Sequence, residues 1–467
     1  MTDAALSIRD KRAILLVTCS GAFLFPFMGS AVVVALPVIG VDLNMSAVEL
    51  AWVPTAFLLT SALLLVPFGR FADMRGRRRV FITGVALYVV GGIVAWTANT
   101  GLVLVLSRVI QGSGGAMIGS TSLAILSSAY GAGERGKALG INAASIYSGL
   151  SLGPVIGGLV TQSMGWRGVF LVQIPLGLVL LAAAYLKLPA QSPTSRLVAF
   201  DWKGVGAYAV FLLGIMYGFT ELPDTIGYAF LLAGALGFVA LIRIEKTSPN
   251  PLVDIELFRS NLSFALSNVA AFLNYAAIHA ASFLLSLYLQ IVTGLSPRYA
   301  GLTLLAMPVV QALLSPIAGR LSDRVEPRVL ASAGMAVTVV GLATLTGLRV
   351  DSSLTNVVGG LALLGFGVAL FSSPNTNAVM SSVPPDKYGL GAATLTTTRQ
   401  IGMVMSMGVA MLVLGSMVGE VNVSSTPIPA FVSAVKIVFG ISAAFCSLGI
   451  VASLKRGRVH GTQTSAS

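Results

Sequence analysis

The chain has 467 residues, of which 55% are apolar and only 10% charged, against roughly 25% charged residues in a water-soluble domain; water is therefore excluded as its main solvent. The net charge of +12 would suit nucleic-acid binding in a soluble protein. Here the basic residues lie in short stretches between apolar runs, which is a pattern of membrane topology instead.

Apolar stretches of about 20 residues read as membrane-spanning helices, because hydrocarbon offers the backbone amides no partner outside the helix. The N-terminal run behind Arg9, Lys11 and Arg12 is too long for a signal peptide and has no small-residue cleavage site after it, so it reads as the first span. In chain order the expected spans are 13–37, 50–68, 80–98, 102–125, 136–162 and 168–187, then a pair at 204–220 and 227–243, then 263–292, 298–317, 329–348, 353–375, 390–418 and 432–454. Fourteen spans put both termini on one side. Of the 29 Lys and Arg residues, 23 fall on that side, four (Arg167, Arg298, Arg349 and Lys436) on the other, and two, Arg108 and Arg399, inside spans. Such asymmetry makes the termini cytoplasmic in a multi-pass protein of the plasma (inner) membrane. Cys19 and Cys446 sit in apolar runs near opposite ends and read as free core thiols, with no clustered metal site.

An internal repeat is legible. The loop after the second span reads Gly69-Arg70-Phe71-Ala72-Asp73, and the loop after the tenth reads Gly319-Arg320-Leu321-Ser322-Asp323. The expected organisation is an N-terminal six-helix bundle over 1–190, two inserted helices over 191–245, and a C-terminal six-helix bundle with a short cytoplasmic tail over 246–467. A transport site is expected at the midplane between the repeats.

Four motifs carry a family resemblance over essentially the whole chain. They are the loop Gly69 to Arg79; Arg108 with Gln111 and Gly112; the run Gly149-Leu150-Ser151-Leu152-Gly153-Pro154-Val155-Ile156-Gly157-Gly158; and Trp166-Arg167-Gly168-Val169-Phe170 followed by Pro175 and Gly177. Together they resemble the major facilitator superfamily, and within it the fourteen-helix drug:proton antiporter group. The resemblance implies an all-α fold of two six-helix bundles plus two inserted helices. It further implies a secondary transporter, not an enzyme, that uses no cofactor and moves lipophilic small molecules against protons. A monomer in the lipid bilayer is expected, with no nucleic-acid partner.

In the gate loop the resemblance assigns Gly69, Asp73, Arg75, Gly76 and Arg77, with Gly319 and Asp323 of the repeat, to conformational gating. Glycine permits the tight turn, and Asp73 can pair with Arg75 or Arg77; the bland alternative for Arg77 to Arg79 is topology alone. Met74 stands where the family usually has arginine. Gly149, Gly153 and Gly157 share one helix face and permit close contact, with Pro154 adding a bend and Gly158 beside them; this reads as a bendable seam between the halves, or as ordinary small-residue packing. An arginine near mid-bilayer costs at least about 2.5 kcal/mol and must face a cavity or a partner. The resemblance gives Arg108 a part in proton coupling, whereas Arg399 remains open between a substrate ligand and a packing residue. His279 is a second proton-site candidate or a hydrogen-bonded packing residue. Trp52, Gln111, Asn274, Tyr275, Asn375 and Asn377 are candidates for a substrate cavity, with Phe57, Phe68, Phe272 and Met307 as apolar wall.

No acidic residue falls within the middle of a span. The family's usual first-span aspartate and asparagine correspond to Met28 and Val33, while Ala35-Leu36-Pro37 is kept. Two intramembrane arginines without an acid would attract an anionic or neutral solute, so a carrier of an organic anion, metabolite or lipid, without proton coupling, stands as the alternative. Glu49, Glu221 and Asp224 remain as proton-loading groups near the outer surface. A membrane enzyme or sensor finds no support in a catalytic cluster or output domain, and no Walker loop points to ATP as the energy source.

Overall fold

The computed structural model describes residues 7–130, 132–189, 201–248, 255–322, 324–384, 387–419 and 421–457. Fourteen helices among these are long and apolar enough to cross a membrane: Ile8–Asp42, Ala47–Arg75, Arg77–Trp96, Gly101–Ala129, Lys137–Met164, Trp166–Lys187, Trp202–Glu221, Thr225–Thr247, Leu262–Val292, Pro297–Ser322, Pro327–Thr346, Leu354–Ser381, Leu390–Met417 and Ile428–Lys455. They are called the first to fourteenth spans below. Several overrun the apolar stretch that announces them; the first extends at both ends through charged residues to Ile8 and Asp42. Hydropathy marks only the part that meets hydrocarbon, whereas the helical hydrogen-bond ladder continues until a cap ends it.

The ends follow local chemistry. Gly76 adopts φ 97° and Gly165 φ 72°, backbone conformations that a side chain disfavours, and each breaks the chain between two spans. Thr100 Oγ1 accepts the Val103 N–H at 3.3 Å, Asn261 Oδ1 accepts that of Phe264 at 2.9 Å, and Asp201 Oδ1 accepts that of Gly204 at 2.8 Å. All three are side-chain N-caps. The second span starts on a capping box, with Ser46 and Glu49 each accepting the other's backbone N–H. Two irregularities went unannounced by hydropathy: the ninth span ends in a π-helical turn at Tyr288–Val292, and the tenth is two helices, Pro297–Leu304 and Ala306–Ser322.

The chain forms two compact units, Met1–Leu43 with Trp52–Phe200, and Asn44–Ala51 with Asp201–Ser467. Within the first, the first span packs on the fifth and sixth, and the third on the fourth and sixth. Within the second, the ninth packs on the thirteenth and fourteenth, and the eleventh on the twelfth and fourteenth. Adding eight to each number of the first set gives the second, so the loop repeat in the sequence is a repeat of helix packing too. The inserted seventh and eighth spans pack on each other, and the seventh lies on the thirteenth, where Gly408 admits the Phe219 ring.

Close helix contact rests on glycine. A methyl group on Gly149 would lie 2.5 Å from Phe23 O, and one on Gly157 2.6 Å from Ala31 O; Gly153 lies against Ser30 and Phe27. The whole glycine face of the fifth span therefore presses on the backbone of the first. This corrects the expectation of a seam between the halves, because the space these glycines leave is filled inside the first unit. The fifth helix runs unbroken through Pro154, and Gly158 is buried.

Candidate functional site

Among the described residues Arg108 is the most deeply buried charge of the first unit, 1% exposed. Its Nε donates to Val53 O at 3.3 Å, Nη1 donates to Gln111 Oε1, and the guanidinium lies 4.3 Å from the centre of the Phe57 ring. Gln111 Nε2 in turn donates to Gln173 Oε1 at 2.9 Å, and Gln173 Nε2 to Tyr88 O at 3.2 Å. Arg108 thus ends a relay through the fourth, sixth and third spans, made of neutral partners throughout; its charge is spread over carbonyls, amides and an aromatic face. Gly91 and Gly92 make the slot: a methyl on Gly91 would meet the Gln111 side chain and backbone, and one on Gly92 would lie 3.2 Å from Gln173 Nε2. Met28 is fully buried. Gln173 was not identified from sequence, where the adjacent Gly91-Gly92 pair was the available signal.

Arg399 collects a cluster in the second unit. Its Nη2 donates to Thr376 Oγ1 at 2.5 Å and reaches Ser372 O at 3.5 Å, while the guanidinium stands 5.5 Å from the centre of the Tyr275 ring. Tyr275 and Ser372 share a hydroxyl hydrogen bond at 3.4 Å, and the buried Arg399 Nε has no hydrogen-bond partner. The structure thus unites Arg399 with Tyr275 and adds Ser372 and Thr376. Other cavity candidates have different partners. Asn274 is fully buried and donates to Cys446 Sγ at 3.8 Å. Asn375, also fully buried, accepts from Arg456 Nη1 at 2.8 Å and donates to Ser267 O at 3.2 Å. Asn377 donates to Ser322 Oγ at 3.3 Å. Trp52, His279, Phe272 and Met307 are half-buried. Both cysteines are free and buried.

Arg456, one of the basic residues behind the last span, has a structural contact as well. It caps the fourteenth span, but its side chain turns inward to Asn375 and is 1% exposed. Burial pushes its guanidinium down to about 10, with Glu326 opposing and Arg328 adding to the shift, so it stays charged at neutral pH. Its neighbours are long-range partners that no local pattern announces.

In the gate loop, Asp73 pairs with Arg77, whose Nε and Nη2 lie 3.0 and 2.9 Å from Asp73 Oδ1. Arg77 Nη1 also donates to Ala124 O at 3.3 Å, tying the loop to the fourth span. Arg75 instead stacks over Phe71 at 5.5 Å. Arg78 donates to Tyr185 O at 2.6 Å, so Arg77 and Arg78 each tie the loop to another span. Phe68 packs on the small core of Ala72, Val80 and Met117 beneath the loop. The repeat is visible at side-chain level: Gly69 faces Ser120 of the fourth span, and Gly319 faces Ser373 of the twelfth. Asp323 lies outside the described residues.

The sequence pattern of the Major Facilitator Superfamily matches residues 18–407 and 267–466. The chain belongs to this superfamily. Superfamily members similar to it include the multidrug resistance protein Stp of Mycobacterium tuberculosis, 32% identical over 417 residues covering 87% of this chain and 76% of that one. The riboflavin transporter RibZ of Clostridioides difficile is 30% identical over 398 residues, covering 85% of this chain and 87% of its own. Among solved structures, a D-xylose-proton symporter superposes with a TM-score of 0.68 at 14% identity, covering 95% of this chain and 97% of that one; at that identity the likeness is one of fold. The protein is therefore a multi-pass membrane transporter of the superfamily, with small-molecule cargo.

Proposed function

We propose that the protein exports lipophilic small molecules across the plasma membrane by proton-coupled alternating access, with both termini cytoplasmic and two six-helix bundles as the moving parts. The observation that carries this reading is the burial of Arg108 against Val53 O, Gln111 and the Phe57 face, because an arginine kept inside a span at such cost is by default a functional group. A cation buried this deeply is poorly screened, so a proton or a charged cargo nearby changes its balance. The resemblance of the chain to a multidrug resistance protein supports the cargo class. The Asp73–Arg77 pair and the Gly69 and Gly319 loops act as gates that form in one conformation and break in the other.

A second reading makes the protein a carrier of an organic anion or metabolite. It is favoured by Arg399, whose buried Nε is unpartnered beside Tyr275 and Thr376, and by the relative named a riboflavin transporter. One experiment separates the two. In efflux-deficient cells, a lipophilic cationic dye and an anionic fluorophore are followed with and without an uncoupler, beside Arg108→Ala and Arg399→Ala. Proton-coupled export predicts dye extrusion lost on uncoupling and reduced, with a measurable residue, in Arg108→Ala. Transport of the anion alone, indifferent to the uncoupler and abolished in Arg399→Ala, would overturn it.

A further inference from the structure

The relay behind Arg108 has a fixed direction. An arginine only donates hydrogen bonds and a backbone carbonyl only accepts them. Two amides placed between such ends can satisfy every link in one orientation: Arg108 to Gln111 Oε1, Gln111 Nε2 to Gln173 Oε1, Gln173 Nε2 to Tyr88 O. Flipping either glutamine would set donor against donor at one link and acceptor against acceptor at the next. Arg108 at one end and the Tyr88 carbonyl at the other therefore fix the same orientation, and Gln173 closes the chain between them by accepting the Gln111 N–H. Gln111 and Gln173 are fully buried, so water cannot replace a broken link cheaply, and hydrogen bonds in such a chain polarise one another.

We infer that Gln173 is a positioning residue for transport: it holds the Gln111 carbonyl on Arg108 and so fixes the guanidinium that the coupling reaction uses. This rests on the reading of Arg108 given under the proposed function. Gln173 makes no direct contact with Arg108, and it comes from the sixth span while Arg108 comes from the fourth. Its amide reaches both partners because Gly92 leaves room for it. Without that amide the buried Gln111 Nε2 has lost its acceptor, so the Gln111 side chain is no longer held in place and Arg108 loses its anchored acceptor while keeping Val53 O and the Phe57 face.

The test is a double-mutant cycle on the full chain in cells. Uncoupler-sensitive dye export is measured across external pH, per amount of membrane-inserted protein, for wild type, Gln173→Leu, Arg108→Ala and the double variant. Gln173→Leu is expected to lower export by about tenfold and to move its pH profile, yet to change export less than twofold once Arg108 is gone, because groups that act as a unit are not additive. If Arg108→Ala impairs export and Gln173→Leu multiplies that loss, the inference is overturned while the reading of Arg108 stands. If Arg108→Ala exports as wild type does, that reading fails and the inference with it. Should Gln173→Leu fail to insert, Gln173→Asn, whose shorter amide cannot reach Gln111 and Tyr88 O together, runs through the same cycle with the same outcomes.

Discussion

Two glycines on one helix make opposite predictions. In the helix Ala132–Met164, a methyl added at Gly157 would lie 2.6 Å from Ala31 O and 2.7 Å from Ala31 Cα, whereas ordinary contact begins at 3.4 Å. Both neighbours are backbone, so the first span must retreat by about 0.8 Å along that seam, and overpacking of this kind costs about 1–3 kcal/mol. At Gly140 nothing lies within 4 Å, and alanine there gains up to about 0.8–1 kcal/mol of helix propensity. Both substitutions gain the same helix propensity, so Gly157→Ala and Gly140→Ala should differ by the overpacking alone, about 1–3 kcal/mol, or about fivefold or more in the unfolding equilibrium. The assay is equilibrium unfolding of purified protein in mixed micelles titrated with sodium dodecyl sulfate, read by tryptophan fluorescence. Equal stability of the two variants, or a loss at Gly140 as large as at Gly157, would refute the backbone-contact account of the first and fifth spans.

Asn375→Leu should cost about 3–5 kcal/mol, because it leaves the buried Arg456 charge without its closest acceptor; Arg456→Met in the same chain should recover most of the loss, and the same titration checks both. Asp73→Asn removes a partly exposed pair worth about 0.2–1 kcal/mol. Its melting temperature should barely change while dye export falls. A parallel loss of stability and export would make the loop a packing element.

The span count, the gate-loop repeat and the burial of Arg108 were legible in the sequence, and the reason is thermodynamic. Transfer of a segment into hydrocarbon is a sum over about 20 consecutive residues, so it can be read one stretch at a time. A buried arginine is conspicuous in such a sum. What the tertiary structure alone decided is which residue meets which. The glycine spacing marks Gly157 for close contact, yet only the fold shows that it faces the first span while Gly140 of the same helix faces open space. Arg456 reads as one more tail arginine and Asn375 as one more cavity residue, yet they bind each other across 81 residues. Gln173 looks unremarkable until Gln111 and Tyr88 are beside it. In water the buried face of a helix is marked by its contrast with a polar face. In a membrane, lipid tails are as apolar as the protein interior, so that contrast vanishes and only the contacts between distant residues choose the partners.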